Sequence, residues 1–443
     1  MTFQNPVIVV PGITASELRD EYPLDPETVW SLLPFGRNFH RISLHPDNLN
    51  YERDEPARVR VDRLFKIPYG ELIDSLRHEL TLKADRPTPV YPFAYDWRMP
   101  LETAAKQLGE LVTEVIKRTC LMRHYYEQKY EDSPRVDLVG HSMGGLIIAG
   151  YLKNAGSAAS IGKVVTLGTP FFGSFESVMK VTTGLSTLSA DPPRSPERES
   201  ARVTPSLYHL LPRFEGAVTS NGKDVDLFAP DTWQTTVIQT LAEYFRLYGK
   251  TAESDETVLT NRAIALLDKM LSVARDYLAG VDSLDLTACN LTSRSWLCVV
   301  GIGQETRVRL EVEGMPKQPH FVLDSRKDRK GDWSKRKPAK NVQTGDGTVP
   351  YLGAKPRFIP IEQLVCVSPK EFGYWEIGDR LLNAAIGLHG MLPKMNRVHR
   401  LVASHLLGLK NEELRDLKAR PAPDLPAGVK WAPPIEGLET EGG

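Results

Sequence analysis

Short apolar runs alternate with amphipathic stretches through the first 170 residues. Val7-Ile-Val-Val10 has the continuous apolar character of a buried strand, as does the run of Val136, Leu138 and Val139. From Tyr69 to Leu82, the spacing of Leu72, Ile73, Leu76 and Leu80 predicts an amphipathic helix. Residues 88–95 predict a strand, residues 101–130 one long helix, and residues 163–168 the next strand. Between the last two, Leu146, Ile147, Ile148, Tyr151 and Leu152 predict a helix packed on a sheet. This rhythm is that of a mostly parallel, doubly wound α/β sheet covered on both faces.

Two regions break the rhythm. Residues 17–66 are polar and punctuated by Pro23, Pro26, Pro34, Pro46 and Pro56, and read as an irregular, lid-like loop region. Within them, Trp30-Ser-Leu-Leu-Pro-Phe35 is an apolar patch suited to covering a site, touching a lipid surface or anchoring its own loop. Residues 174–294 open with a Pro/Ser/Arg-rich stretch and continue with helical spacing over 233–248 and 257–278, as expected of a mostly helical cap insertion. Residues 296–300 resume the sheet, 305–323 predict a hairpin, 358–361 and 364–367 the last strands, and 398–409 a closing helix. The expected organisation is a core in two parts, 1–173 and 295–410, around a cap at 174–294. A Pro/Glu/Gly-rich tail at 411–443 is expected to be disordered.

A net charge of −1 gives no global bias toward nucleic acid. The one strong local bias is residues 324–340, with eight basic and three acidic residues. It reads as a solvated loop or as a dock for anionic headgroups, a peripheral contact with a membrane surface. Cys120, Cys289, Cys298 and Cys366 are too scattered for a metal knuckle or a dense disulfide framework. The start lacks the basic and apolar regions of a signal peptide, and no segment approaches the ~18 apolar residues of a membrane span. A reduced, cytoplasmic setting is the expectation, with no cofactor or metal implied.

The chemistry concentrates at Gly140-His-Ser-Met-Gly144, a G-x-S-x-G set between a strand and a helix. That context is the nucleophile elbow of an α/β-hydrolase fold, with Ser142 as nucleophile. Its oxyanion donors are expected from the N–H groups of Met143 and of Ile13, on the Gly-bearing loop after the first strand. A serine hydroxyl needs a base, and the base needs a carboxylate; in this fold they follow the serine in the order acid, then histidine. Asp346, on a Gly-Asp-Gly turn, is preferred over Asp324, Asp328 and Asp332, which sit among basic residues. His389, on a loop before the closing helix, is preferred over His399 and His405 within that helix. His141 is read as packing, since its ring cannot turn back onto its neighbour's Oγ. Asp96 and Arg98 are expected to form a buried ion pair, and Phe171, Phe172, Phe175, Trp233, Tyr244 and Phe245 either core or an acyl-chain pocket.

Taken together, Val10-Pro-Gly12, Tyr95-Asp-Trp-Arg98, Gly140-His-Ser-Met-Gly-Gly145, Leu167-Gly-Thr-Pro-Phe-Phe-Gly-Ser174, Gly345-Asp-Gly-Thr-Val-Pro350 and His389-Gly390 resemble the lecithin:cholesterol acyltransferase-like family of α/β-hydrolases. The resemblance implies a Ser142–Asp346–His389 triad, an oxyanion hole at Ile13 and Met143, and an acyl-enzyme formed from a lipid ester and passed to water or an alcohol. It also implies a lid tryptophan, to which Trp30 loosely corresponds. The secreted members' signal peptide and paired lid cysteines are missing here. Two other readings fit the same residues: an esterase for small or glycan-linked acyl groups, and a catalytically silent lipid-binding protein on a hydrolase scaffold.

Overall fold

The protein was analysed as a computed structural model that describes residues 3–31, 37–184, 195–323, 344–371 and 387–441. Its centre is a six-stranded, all-parallel sheet: β1 (Val7–Val10), β2 (Val90–Pro92), β3 (Val136–His141), β4 (Ile161–Leu167), β5 (Trp296–Gly301) and β6 (Val365–Val367), in the spatial order β2-β1-β3-β4-β5-β6. Side chains of a strand alternate between faces, and here both faces are dry. Ile8, Val10, Leu138, Val164, Trp296 and Val300 enter one core with helices α2 (Leu101–Cys120) and α3 (Met143–Ala155). Val7, Val9, Val139, Val165, Leu297 and Val299 enter the other with α1 (Lys66–Glu79) and α6 (Asn396–Leu407). This is the α/β-hydrolase fold.

The order reverses direction beside β1: the chain goes from β1 outward to β2, then returns to β3 on the other side. In open α/β sheets, ligands bind outside the carboxyl ends of the strands at such a switch point. The loops leaving β1 and β3 are therefore brought together at one rim.

The insertion after β4 carries α4 (Thr235–Tyr248) and α5 (Glu256–Asp282). It also holds two short strands, Val218–Ser220 and Lys223–Asp224, which pair with the hairpin Leu310–Glu313 and His320–Val322 in a separate four-stranded sheet. Tyr277 of α5 donates to the Leu146 carbonyl of α3 at 2.9 Å, fastening the insertion to the helix behind the elbow.

Four expectations need correction. The described part of residues 17–66 is not an irregular loop: Ser16–Asp20, Glu27–Trp30 and Val59–Leu64 form an antiparallel sheet, and Leu44–His45 pairs with Asn48–Glu52. Arg98 locks this module down, reaching Asp96, the Ile42 carbonyl and Glu52. The helix expected over 101–130 ends at Cys120, and the chain turns so that Tyr125 and Tyr130 can pack on Phe3. Residues 358–361 form no strand. The tail is packed: Leu414, Leu417 and Ala419 join the second core with Ile435 and Leu438. Arg420 pairs with Cys366 through both backbone groups, covering the outer edge of β6. The basic segment 324–340 and residues 32–35 of the apolar patch lie outside the described residues.

Candidate active site

β3 ends at His141 and α3 starts at Met143, so Ser142 alone makes the turn. Its φ of 54° and ψ of −127° are strained for an L-residue, and a strained backbone needs surroundings that over-determine it. Two contacts do so. The Ser142 N–H donates to the Leu167 carbonyl of β4 at 2.8 Å. A Cβ on Gly144 would sit 2.3 Å from the Val10 carbonyl oxygen, so only glycine lets the start of α3 lie this close to the end of β1. The hydroxyl stands at the N-terminus of a helix, where free N–H groups and the dipole favour negative charge.

His389 lies in a helical turn at 387–391 rather than on a loop. Its Nε2 is 2.9 Å from Ser142 Oγ, and its Nδ1 is 2.7 Å from Asp346 Oδ2. An ionised carboxylate only accepts, so Nδ1 carries the proton and Nε2 is left to accept from the serine. Asp346 Oδ1 takes the N–H groups of Thr348 at 3.0 Å and Val349 at 2.7 Å. Asp346 is 1% exposed and His389 4%, so these bonds are made out of water. Such a line can carry a proton from hydroxyl to imidazole while the carboxylate stabilises the imidazolium.

Several residues that hold this line are not marked for that role by the sequence. Gln304, just past β5, accepts the Leu388 N–H on Oε1 at 2.7 Å and donates its own N–H to the Gly345 carbonyl at 3.0 Å. It thereby joins the turn bearing the histidine to the loop bearing the acid. Gly168, at φ +57°, leaves no room beside them: a Cβ there would lie 3.1 Å from both Asp346 Oδ2 and His389 Nδ1. Tyr69, legible only as one apolar position of a helix, reaches both Gly12 and His141 with its hydroxyl. His141 is more than packing, since its Nε2 also meets the His389 carbonyl at 3.0 Å. Burial, with the His389 ring beside it, holds the His141 imidazole well below its ordinary pKa.

The loop of Ile13 lies against Ser142: a Cβ on Gly12 would come 2.9 Å from Ser142 Cβ. Met143 is the first residue of α3, whose leading N–H groups have no intrahelical acceptor. Trp30 is buried, with its indole N–H donating to the Thr14 carbonyl at 3.0 Å and its ring against Trp97 and Phe39. Phe171 packs edge-on to Phe358 and near Trp296, and the guanidinium groups of Arg213 and Arg357 both lie over the Phe172 ring. These three rings are thus engaged by protein partners. His399 and His405 are turned away, toward the carbonyls of Pro393 and Ser295. All four cysteines are free, and among the described residues no group of His, Cys, Asp and Glu could hold a metal ion. No helix among them is long and apolar enough to cross a membrane.

A chain in the solved Tle4–Tli4 complex superposes with a TM-score of 0.55 at 13% identity, covering 94% of this chain and 100% of that one. Phospholipase PlaB from Legionella pneumophila aligns with a TM-score of 0.31 at 11% identity, over 80% of this chain and 45% of that one. Lipase BlEst2 from Bacillus licheniformis, in mature form, aligns with a TM-score of 0.23 at 12% identity, over 56% and 75%. No curated protein matches the chain closely enough to count as a relative. The model of one family, lecithin:cholesterol acyltransferase, matches residues 76–308, a stretch that contains the buried Arg98, the elbow and the loop after β4. That match spans more than half of the sequence, and the chain belongs to the lecithin:cholesterol acyltransferase family.

Proposed function

We propose that this protein is a serine hydrolase or O-acyltransferase acting on lipid esters through an acyl-enzyme. The observation that carries the reading is the unbroken line Ser142 Oγ–His389 Nε2, His389 Nδ1–Asp346 Oδ2, on a strained turn at the switch point of the sheet. Family membership supports the lipid ester as substrate class. His389 Nε2 takes the Ser142 proton as Oγ bonds to the ester carbonyl carbon, and the N–H groups of Ile13 and Met143 hold the resulting oxyanion. Collapse breaks the bond to the leaving alcohol, which receives that proton from His389. Water or a second alcohol then repeats the sequence on the acyl-Ser142 ester, giving hydrolysis or transfer. Asp346 keeps the imidazole in the productive tautomer throughout.

The test is Ser142→Ala. Turnover of a long-chain acyl ester is expected to fall by about 10⁶-fold, to the background left by binding alone, and a fluorophosphonate that labels the native protein should no longer react. Undiminished turnover by the folded variant would remove Ser142 from the mechanism.

A further inference from the structure

We propose that Tyr69 and His141 are positioning residues, one buried hydrogen-bonded line that sets the oxyanion loop and the peptide of His389 in register with Ser142. The inference rests on the proposed function and adds to it two side chains that touch no reacting atom.

The direction of every bond in the line follows from its ends. The His389 carbonyl can only accept, so the proton of His141 is on Nε2, 3.0 Å away. Nδ1 is then a lone pair, and the Tyr69 hydroxyl donates to it at 2.7 Å. The Tyr69 oxygen in turn accepts the Gly12 N–H at 2.9 Å. Each donor has one acceptor and no reversed arrangement satisfies all three groups. The line begins on the loop that precedes Ile13 and ends on the backbone of the base. It passes through the residue next to the nucleophile.

The far end is gripped from both sides. The His389 N–H donates to the Asp346 carbonyl at 3.0 Å while its own carbonyl takes the His141 proton. At the near end, Gly12 lies so close to Ser142 that a Cβ on it would clash, so a shift of that loop changes the distance between the oxyanion donors and the attacked carbonyl. Tyr69 and His141 are both buried, and apolar residues of equal size would fill the same space. What such residues could not supply is a donor and an acceptor at each joint. Left unpaired in a dry site, the Gly12 N–H and the His389 carbonyl would seek other partners and carry the loop and the base with them.

The experiment compares Tyr69→Phe, His141→Leu and their double variant in the full chain. The substrate is a long-chain acyl ester, and a trifluoromethyl ketone of the same chain length mimics the tetrahedral state. Tyr125→Phe is the control: it removes a hydroxyl from another buried tyrosine, bonded to the Gln4 carbonyl at 2.6 Å. Each site variant is expected to lose roughly 10²-fold in kcat with KM nearly constant. Affinity for the ketone should fall in step with kcat/KM, and the double variant should cost little more than the worse single one. Tyr125→Phe should lose thermal stability and keep its kcat. Unchanged kcat and ketone affinity in Tyr69→Phe, beside an inactive Ser142→Ala, would overturn the positioning role alone. An equal kcat loss in Tyr125→Phe would also overturn it, by making the effect one of stability. Full turnover by Ser142→Ala would overturn the proposed function and this inference with it.

Discussion

Two carboxylates are buried at opposite ends of the same sheet, and they are treated differently. Asp346, beyond the carboxyl ends of the strands, has both oxygens matched: Oδ1 by two backbone N–H groups and Oδ2 by the His389 ring. Asp137, at the opening of β3, has Asn5 Nδ2 and the Lys163 N–H on Oδ1, at 2.9 and 2.8 Å. Its Oδ2 has only Gln4 Nε2, at 3.5 Å. Burial wins there over those hydrogen bonds and pushes the Asp137 carboxyl up to about 6. At Asp137 too few donors stand around the carboxyl to offset its burial. One end of the sheet spends its polar groups on a reactive geometry, the other on closing the floor of the core.

The comparison breaks most sharply at Asp346→Asn. The amide can keep its oxygen on the Thr348 and Val349 N–H groups, which turns its NH₂ toward His389. The ring must then accept at Nδ1 and carry its proton on Nε2, facing Ser142 with a donor instead of an acceptor. A loss of about 10⁴-fold in kcat is expected with the fold retained, read from steady-state ester turnover alongside circular dichroism. A kcat within tenfold of the native value would show that Asp346 does not set the tautomer.

Two glycines on or beside β4 make the next test, since each leaves room for one of the acids. A Cβ on Gly168 would lie 2.8 Å from Leu392 Cδ1 and crowd the Asp346–His389 bond, at a φ unsuited to alanine. Gly168→Ala should therefore lower kcat by roughly 10²-fold through displacement of the base. A Cβ on Gly162 would lie 2.3 Å from Asn5 Nδ2 and 2.5 Å from Asp137 Oδ1. Gly162→Ala should lower the denaturation midpoint and leave the kcat of the folded fraction alone. Parallel losses of kcat in both variants would erase the distinction between the two ends.

What could be read from the chain divides along the same line. The apolar runs of β1, β3, β4 and β5, and the small-residue turns carrying Ser142 and Asp346, are local signals, because a strand buried on both faces is apolar at nearly every position. Tyr69 and Gln304 act through single polar atoms that only the tertiary fold brings to the site, and no spacing records that. The module of residues 17–66 was hidden because its strands bury one face and leave the other polar, as in Ser-Glu-Leu-Arg-Asp, where Leu18 and Asp20 turn inward. The tail was hidden because its few apolar residues, Leu414, Leu417, Ile435 and Leu438, are spread across proline-rich chain and find a core only after folding.

The smallest effect belongs to Asp137→Asn, and its sign separates the two acids. The Asp137 pKa is raised from 3.8 to about 6 by burial, so the folded protein holds a proton that the unfolded chain has released across that window. Stability from this group is therefore complete below about pH 4 and is lost as pH rises through 6; at neutral pH the charged form costs at most on the order of 3 kcal/mol. Lys163, the charged neighbour, offsets part of that cost, though its ammonium is directed to the His405 and Leu406 carbonyls. His405 is held down to about 3 by burial and adds no compensating charge. Asp137→Asn removes the ionisation and keeps an oxygen for Asn5 and the Lys163 N–H. The variant should be more stable than the native protein at pH 8, with the gain shrinking toward pH 4 and kcat unchanged, as denaturant unfolding across that range would report. A gain that does not vary with pH would mean that burial does not raise the Asp137 carboxyl, and that the floor of the sheet is as fully supplied with donors as the site above it.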